Sequence, residues 1–216
     1  MIDWNIVWLS VPLLAKASVV TIQIAVLAGI AEIVFGIALG LVSLAQSRLI
    51  RTPVAIYVDV IRGTPLLIQI FFVYFVLPGF GIGFNEFWAG VTALGLNGAA
   101  FIAETVRGAV GSIEKGQSEA ARSIGMREHQ TLIWILLPQA LRQIVPPTTN
   151  EVINLTKNTS LLSAISVFEL TRSGQSIVSM YFAPLEVYGL LAIYYYVIVK
   201  ALTVLSRKLE NILPKW

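Results

Sequence analysis

The stretch Glu104–Pro138, ETVRGAVGSIEKGQSEAARSIGMREHQTLIWILLP, is polar and lies between apolar segments long enough to cross a bilayer. It carries Arg107, Lys115, Arg122 and Arg127 against Glu104, Glu114, Glu119 and Glu128. Mixed charge of this kind between membrane spans belongs in water, and a plain connection needs only a few residues. The inside of the stretch reads as a short helix. Ser118 is the expected N-cap, Glu119 suits the positive first turn, and Arg122 suits the last turn. Ala120, Ala121 and Ile124 form a small apolar face. Gly125 fits the left-handed position that closes a helix, and a second helix starts near Arg127. Periodicity alone also fits a solvated amphipathic loop helix without a partner.

Outside this stretch the chain is oily. Hydrophobic residues make up 56% and charged residues 12%, about half the usual charged share of a soluble domain. The mean hydropathy is +0.79. The length suits one compact unit of several helices, with no separate soluble domain and no internal repeat. The net charge of +3 is small, and no basic cluster is dense enough for nucleic acid. The chain has no Cys, which excludes disulfides and thiolate metal sites, and its single His, His129, cannot build a metal site alone. The start, MIDWNIVWLS, lacks the positive region of a signal peptide, so the first apolar span is expected to be retained.

Five spans are expected: 17–45, 54–77, 87–110, 139–168 and 185–205, with a polar loop over 111–138. The first holds Glu32, expected to face the bundle interior because a carboxylate facing lipid is costly. Its Gly36 and Gly40, four apart, permit close helix packing. In the second, Asp59 and Arg62 are spaced to pair, and Gly63 and Pro65 are expected to kink the helix. The third carries GLNGAAF. Gly95, Asn97 and Gly98 are poor helix formers, which predicts a break over Gly95–Ala99 facing protein or a water-lined cavity. Glu104 and Arg107 are spaced for an ion pair. The fourth begins with Pro146 and Pro147 and then holds Glu151, Asn154, Lys157 and Asn158 among apolar residues. Glu151, Asn154 and Asn158 fall within about 60° on one helix face. A loop or surface helix over 169–184 precedes the last span.

Lys and Arg counts in short loops give the orientation. Arg48, Arg51, Lys115, Arg122, Arg127, Arg207, Lys208 and Lys215 fall on one side, and little beyond Lys16 and Arg172 falls on the other. This places the N-terminus outside, the C-terminus in the cytoplasm and the 111–138 loop in the cytoplasm. No P-loop pattern occurs, so the chain cannot bind ATP by that route. No credible Ser-His-Asp set or pair of carboxylates at catalytic spacing is present. An enzyme acting alone is not expected.

GQSEAARSIGM followed by LLPQALR resembles the EAA loop of permease subunits in bacterial ATP-binding-cassette importers. The matching residues are Glu119, Ala120, Ala121, Gly125, Leu137 and Pro138. The resemblance extends through IRGTPLLIQIFFVYF, AETVRGAV and NEVINLTKNTSLLSAISVFEL, covers nearly the whole chain, and is similar to the polar-amino-acid branch (histidine, glutamine or arginine type). It implies an all-α permease of the bacterial inner membrane. Its coupling helix, with Ser118, Glu119, Ala120, Ala121, Arg122, Gly125, Met126 and Arg127, docks ATPase subunits that hold ATP and Mg. The other implied partners are a second permease chain, identical or related, and an extracytoplasmic amino-acid-binding protein. The chain itself needs no cofactor or metal.

A zwitterionic amino acid needs acceptors for its ammonium and donors for its carboxylate, and a broken helix supplies both. The candidate substrate residues are therefore Gly95, Leu96, Gly98 and Ala99 with Glu151, Asn154 and Lys157. The resemblance implies a site at the same place, near the bilayer midplane between spans three and four. The structural alternative is that Glu151 and Lys157 only satisfy each other or neighbouring helices. The rival functions are an ion-coupled secondary transporter, which calls for inverted repeats, and a non-transporting sensor or scaffold, which needs no EAA-like loop.

Overall fold

The computed structural model describes residues 2–212, and among these it holds helices and no strands. Helix α1 (Trp4–Ser43) starts well before the expected span. Asp3 caps it, accepting from the Asn5 N–H at 2.9 Å, and Pro12 is accommodated inside it. Its 40 residues reach about 60 Å, twice the roughly 30 Å of bilayer hydrocarbon. The early start has a packing cause: Leu14 and Ile6 join a cluster with Leu170, Ile177, Val187 and Leu191 from the C-terminal third.

The expected second span is two legs. Helix α2 (Arg48–Arg62) takes in residues expected in a loop. Helix α3 (Leu66–Phe71) continues by one wide and one tight turn to Phe80, and the two legs meet at 110°. Gly63, Thr64 and Pro65 cannot carry a helix through, and Pro65 sits in extended backbone. The Gln69 amide meets the exposed carbonyls of the elbow, donating to Ile61 O at 2.7 Å and Thr64 O at 3.1 Å. Its own Oε1 accepts from Asn97 Nδ2 at 2.9 Å, which ties the elbow to the next helix. Asp59 does not pair with Arg62. Arg62 turns instead to Glu104 at 3.8 Å and lies over the Phe101 ring.

Helix α4 (Glu86–Gly111) is capped by the Asn85 side chain and runs unbroken. The break expected over Gly95–Ala99 is absent, because these glycines serve close packing. α1 and α4 form the most extensive helix pair of the fold. A Cβ on Gly36 would stand 2.6 Å from Ile102 Cβ, one on Gly40 2.6 Å from Val106 Cβ, and one on Gly95 3.0 Å from Ala31 Cβ. The expected Glu104–Arg107 pair is present at 2.6 Å.

Helix α5 (Lys115–Ser123) and the short α6 (Glu128–Thr131) follow. A wide turn over 132–136 leads straight into α7 (Leu137–Asn158), and a tight helical turn then covers Thr159–Ile165. Pro146 and Pro147 do not weaken the start of α7 as expected; both lie within its continuous helix. Helix α8 (Leu170–Tyr181) is capped by Glu169, whose carboxylate accepts from Thr171 N, Arg172 N and the Tyr195 hydroxyl. Helix α9 (Pro184–Ile212) is longer than expected. Among the described residues α1, α4 and α9 are long and apolar enough to cross a membrane, and the bent α2–α3 pair makes a fourth candidate.

Candidate functional site

Two places in the fold bear on the expected sites. The first is α5. It begins one turn before the expected N-cap: Glu114 is its cap, while Ser118 lies inside and donates to the Lys115 carbonyl at 2.8 Å. The earlier start follows from Ile113, which packs into the Ile102–Val106 cluster as the chain leaves α4. Ala121 is the buried residue of α5, whereas Glu119, Ala120, Arg122 and Ile124 are exposed. Ile124, 78% exposed, is a bare apolar knob at the end of a charged helix.

Gly125 closes α5 at φ +82°, with its N–H on Arg122 O at 2.9 Å and the Met126 N–H on Ala121 O at 3.1 Å. The next helix starts at once, and the Arg127 N–H donates to Gln130 Oε1 at 2.8 Å. Arg122 also reaches Glu128 at 3.9 Å. Ser112 donates to Gln143 at 2.6 Å, holding the base of α7 to the end of α4. The outcome is a short, exposed helix that packs on the wide turn leading into α7 and takes a hydrogen bond from Gln139 of α7 on its Gln117 at 3.4 Å.

The second place is the middle of the bundle. Glu32 on α1 is wholly buried against Gly98, where its carboxylate fills the space a Cβ would need. Neither of its oxygens has a hydrogen-bond partner. Glu151 on α7 is half-buried, lies within electrostatic reach of Glu32, and bonds the Asn154 side chain. Thr148, one turn before Glu151, is buried with its hydroxyl unpartnered. Asn154 and Lys157 are exposed.

The structure therefore gathers Glu151, Asn154 and Lys157 on one helix as the spacing requires. It does not place free backbone groups opposite them. Gly95, Gly98 and Ala99 are buried in an intact helix, and of the 95–99 run only Leu96 is exposed. Sequence reasoning turned Glu32 inward but did not bring it beside Glu151. It also passed over Gln69 and Thr148, whose surroundings depend on helices distant in the chain.

Binding-protein-dependent transport system inner membrane components match this chain over residues 32–211. The chain belongs to that family. The permease is 37% identical over 214 residues to the glutamine transport system permease protein GlnP of Escherichia coli (strain K12), covering 97% of this chain and 96% of that one. It is 34% identical to the arginine transport system permease protein ArtQ of Bacillus subtilis (strain 168), with the same coverages. A crystal structure of an amino acid ABC transporter with histidines superposes with a TM-score of 0.89 at 31% identity, covering 98% of this chain and 99% of that one. The permease is thus a transport subunit of the ATP-binding-cassette importer type and not an enzyme.

Proposed function

We propose that this permease moves a polar or charged amino acid into the cytoplasm, driven by ATPase subunits that dock on α5. The observation that carries the proposal is the exposed α5 itself. It ends in a left-handed glycine with both capping hydrogen bonds made, it packs on the wide turn that leads into α7, and Gln139 of α7 donates to its Gln117 at 3.4 Å. An element of this kind can transmit a displacement from a docked subunit into α4 and α7. In this scheme ATP and Mg stay in the ATPase, whose closure moves Ser118–Arg127 and switches which side the pathway faces. This is a two-state change biased at a distant site.

The proposed path has five crossings: α1, the α2–α3 pair, α4, α6–α7 and α9. The N-terminus is outside, and α5 and the C-terminus are in the cytoplasm of the bacterial inner membrane. The asymmetric Lys and Arg distribution supports this orientation. A second permease chain, identical or related, completes the pathway, and an extracytoplasmic binding protein delivers the amino acid. Glu151, Asn154 and Lys157 contact the substrate, Leu96 lines the path, and Gly95, Gly98 and Ala99 contribute by bringing α4 close to α1. Relatives carrying glutamine and arginine support the amino-acid assignment. Purification of the tagged permease from its native membrane is expected to recover an ATPase subunit. Recovery of a stable permease with no ATPase partner would overturn the proposal.

A further inference from the structure

A cluster of ionisable side chains lies where the end of α1, helix α2 and the end of α4 meet. α2 lies across α4 rather than along it. Val54 and Val58 share a cluster with Ala100 and Ala103, the Tyr57 hydroxyl donates to the Leu96 carbonyl, and Arg62 lies over the Phe101 ring and reaches Glu104. From Val54 to Arg62 these contacts stay between Leu96 and Glu104, so the last turns of α4 run on past α2. A cavity of about 710 Å³ occupies the corner, within the roughly 300–1,000 Å³ of small-ligand pockets. Ser43 and Gly111, the last residues of α1 and α4, border it, which puts it at a membrane edge.

α2 has three faces. Val54 and Val58 are buried. Leu49, Ile56 and Val60, within about 40° of one another, are apolar and exposed. Arg48, Arg51, Asp59 and Arg62, within about 80°, are polar and exposed. An exposed apolar stripe beside a cationic one is the pattern of a helix seated where acyl chains meet headgroups.

The charges in the corner do not balance. Arg62 and Arg107 share one carboxylate, Glu104, at 3.8 and 2.6 Å. Among the described residues the side chains of Arg51 and Asp59 have no hydrogen bond or ion pair, and they stand two turns, about 12 Å, apart along α2. Arg51, Arg62 and Arg107 against Asp59 and Glu104 leave a net positive lining. A guanidinium fork matches phosphate oxygens, and basic pockets between spans at such an edge take phospholipid headgroups. Val54, Val58 and Ala103 give the cavity an apolar wall, which suits a glycerolipid and which a free phosphate does not need. Asp59 repels a second phosphate and can accept from a hydroxyl.

We infer that this corner binds one anionic phospholipid with a hydroxylated headgroup, its phosphate on Arg51 and its headgroup hydroxyl on Asp59. The site requires only that the chain lies in a bilayer, and it is independent of the cargo and of the ATPase dock.

The test is thermal melting of the purified, delipidated permease–ATPase complex in detergent, titrated with phosphatidylglycerol, with phosphatidylcholine of the same acyl chains, and with glycerol phosphate. Half-maximal stabilisation is expected at a phosphatidylglycerol concentration about tenfold or more below that for phosphatidylcholine, the scale of one charged hydrogen bond. Arg51→Gln should raise the phosphatidylglycerol value about tenfold and leave the phosphatidylcholine value unchanged. Its melting temperature without lipid should match the wild type, since the Arg51 side chain has no partner to lose. Lys208→Gln removes an exposed charge near the end of α9 and should leave both titrations unchanged. Equal response to the two lipids, or an Arg51→Gln titration like the wild type's, overturns the inference. Equal weakening in Lys208→Gln overturns it in favour of diffuse surface charge, and a full effect from glycerol phosphate alone overturns it in favour of a free phosphate. A complex that responds to none of the three also overturns it, the corner then being covered by the second chain. Each of these results leaves the permease assignment standing.

Discussion

Gly125 separates backbone conformation from space. Its φ of +82° lies in the left-handed region, yet nothing stands within 4 Å of where a Cβ would be. A side chain at this position therefore meets no clash and acts through the backbone alone. For an ordinary L-residue the left-handed conformation costs about 1–2 kcal/mol, and a β-branched residue lies at the high end. If Gly125→Val leaves that conformation, the Met126–Ala121 and Gly125–Arg122 hydrogen bonds go, each worth about 1 kcal/mol. Gly125→Val should thus misaim α5 at a cost of roughly 1–3 kcal/mol, while Gly125→Asn, which tolerates the left-handed region, should cost a fraction of that. The assay is coupled: substrate uptake and substrate-stimulated ATP hydrolysis in proteoliposomes, with membrane insertion and ATPase recovery as controls. Uptake and stimulation should fall in Gly125→Val and hold in Gly125→Asn, with insertion normal in both. Equal loss in the two variants, or normal coupling in Gly125→Val, would refute the argument that the cap aims the docking helix.

Glu151→Gln keeps size and removes charge; apparent substrate affinity should weaken by about 1–3 kcal/mol, read as the half-saturating concentration for uptake, and an unchanged value for every amino acid tested makes Glu151 structural. Gly36→Ala would bring a Cβ within 2.6 Å of Ile102 Cβ, whereas Gly108 has open space; the first should lower detergent-solubilised stability by about 1–3 kcal/mol and Gly108→Ala should not, as thermal melting by size-exclusion will report. A cysteine at Gly81 should react with an impermeant thiol reagent from outside and one at Ser112 should not, against a chain that has no native Cys; the reverse pattern would put α5 on the wrong side for an ATPase.

Much local chemistry was legible from sequence where a residue's role is settled within a turn or two of chain, although Asp59 did not pair with Arg62 and Ser118 was not the cap of α5. Gly125 took the left-handed cap, a second helix began after Arg127, and Glu104 paired with Arg107 three residues on. The spacing of Gly36 and Gly40 announced a close helix contact, because small residues four apart share one face. That face could not name its partner. α4 was the partner, and its glycines, which looked like helix breakers, proved to be the other half of the contact. Propensity ranks glycine as weak in a helix, but burial against a neighbour outweighs a penalty of about 1 kcal/mol. The α2–α3 elbow was likewise half visible: Gly63 and Pro65 marked an interruption, while neither its 110° angle nor the bond that ties it to α4, between Gln69 and Asn97, 28 residues apart, could be read from them. Glu32 is the sharpest case. Sequence turned it inward by the cost of a carboxylate in lipid. Only the packing of α1 between α4 and α7 put it against Gly98 and near Glu151, without a partner, because a long-range meeting of three helices leaves no periodic trace in any one of them.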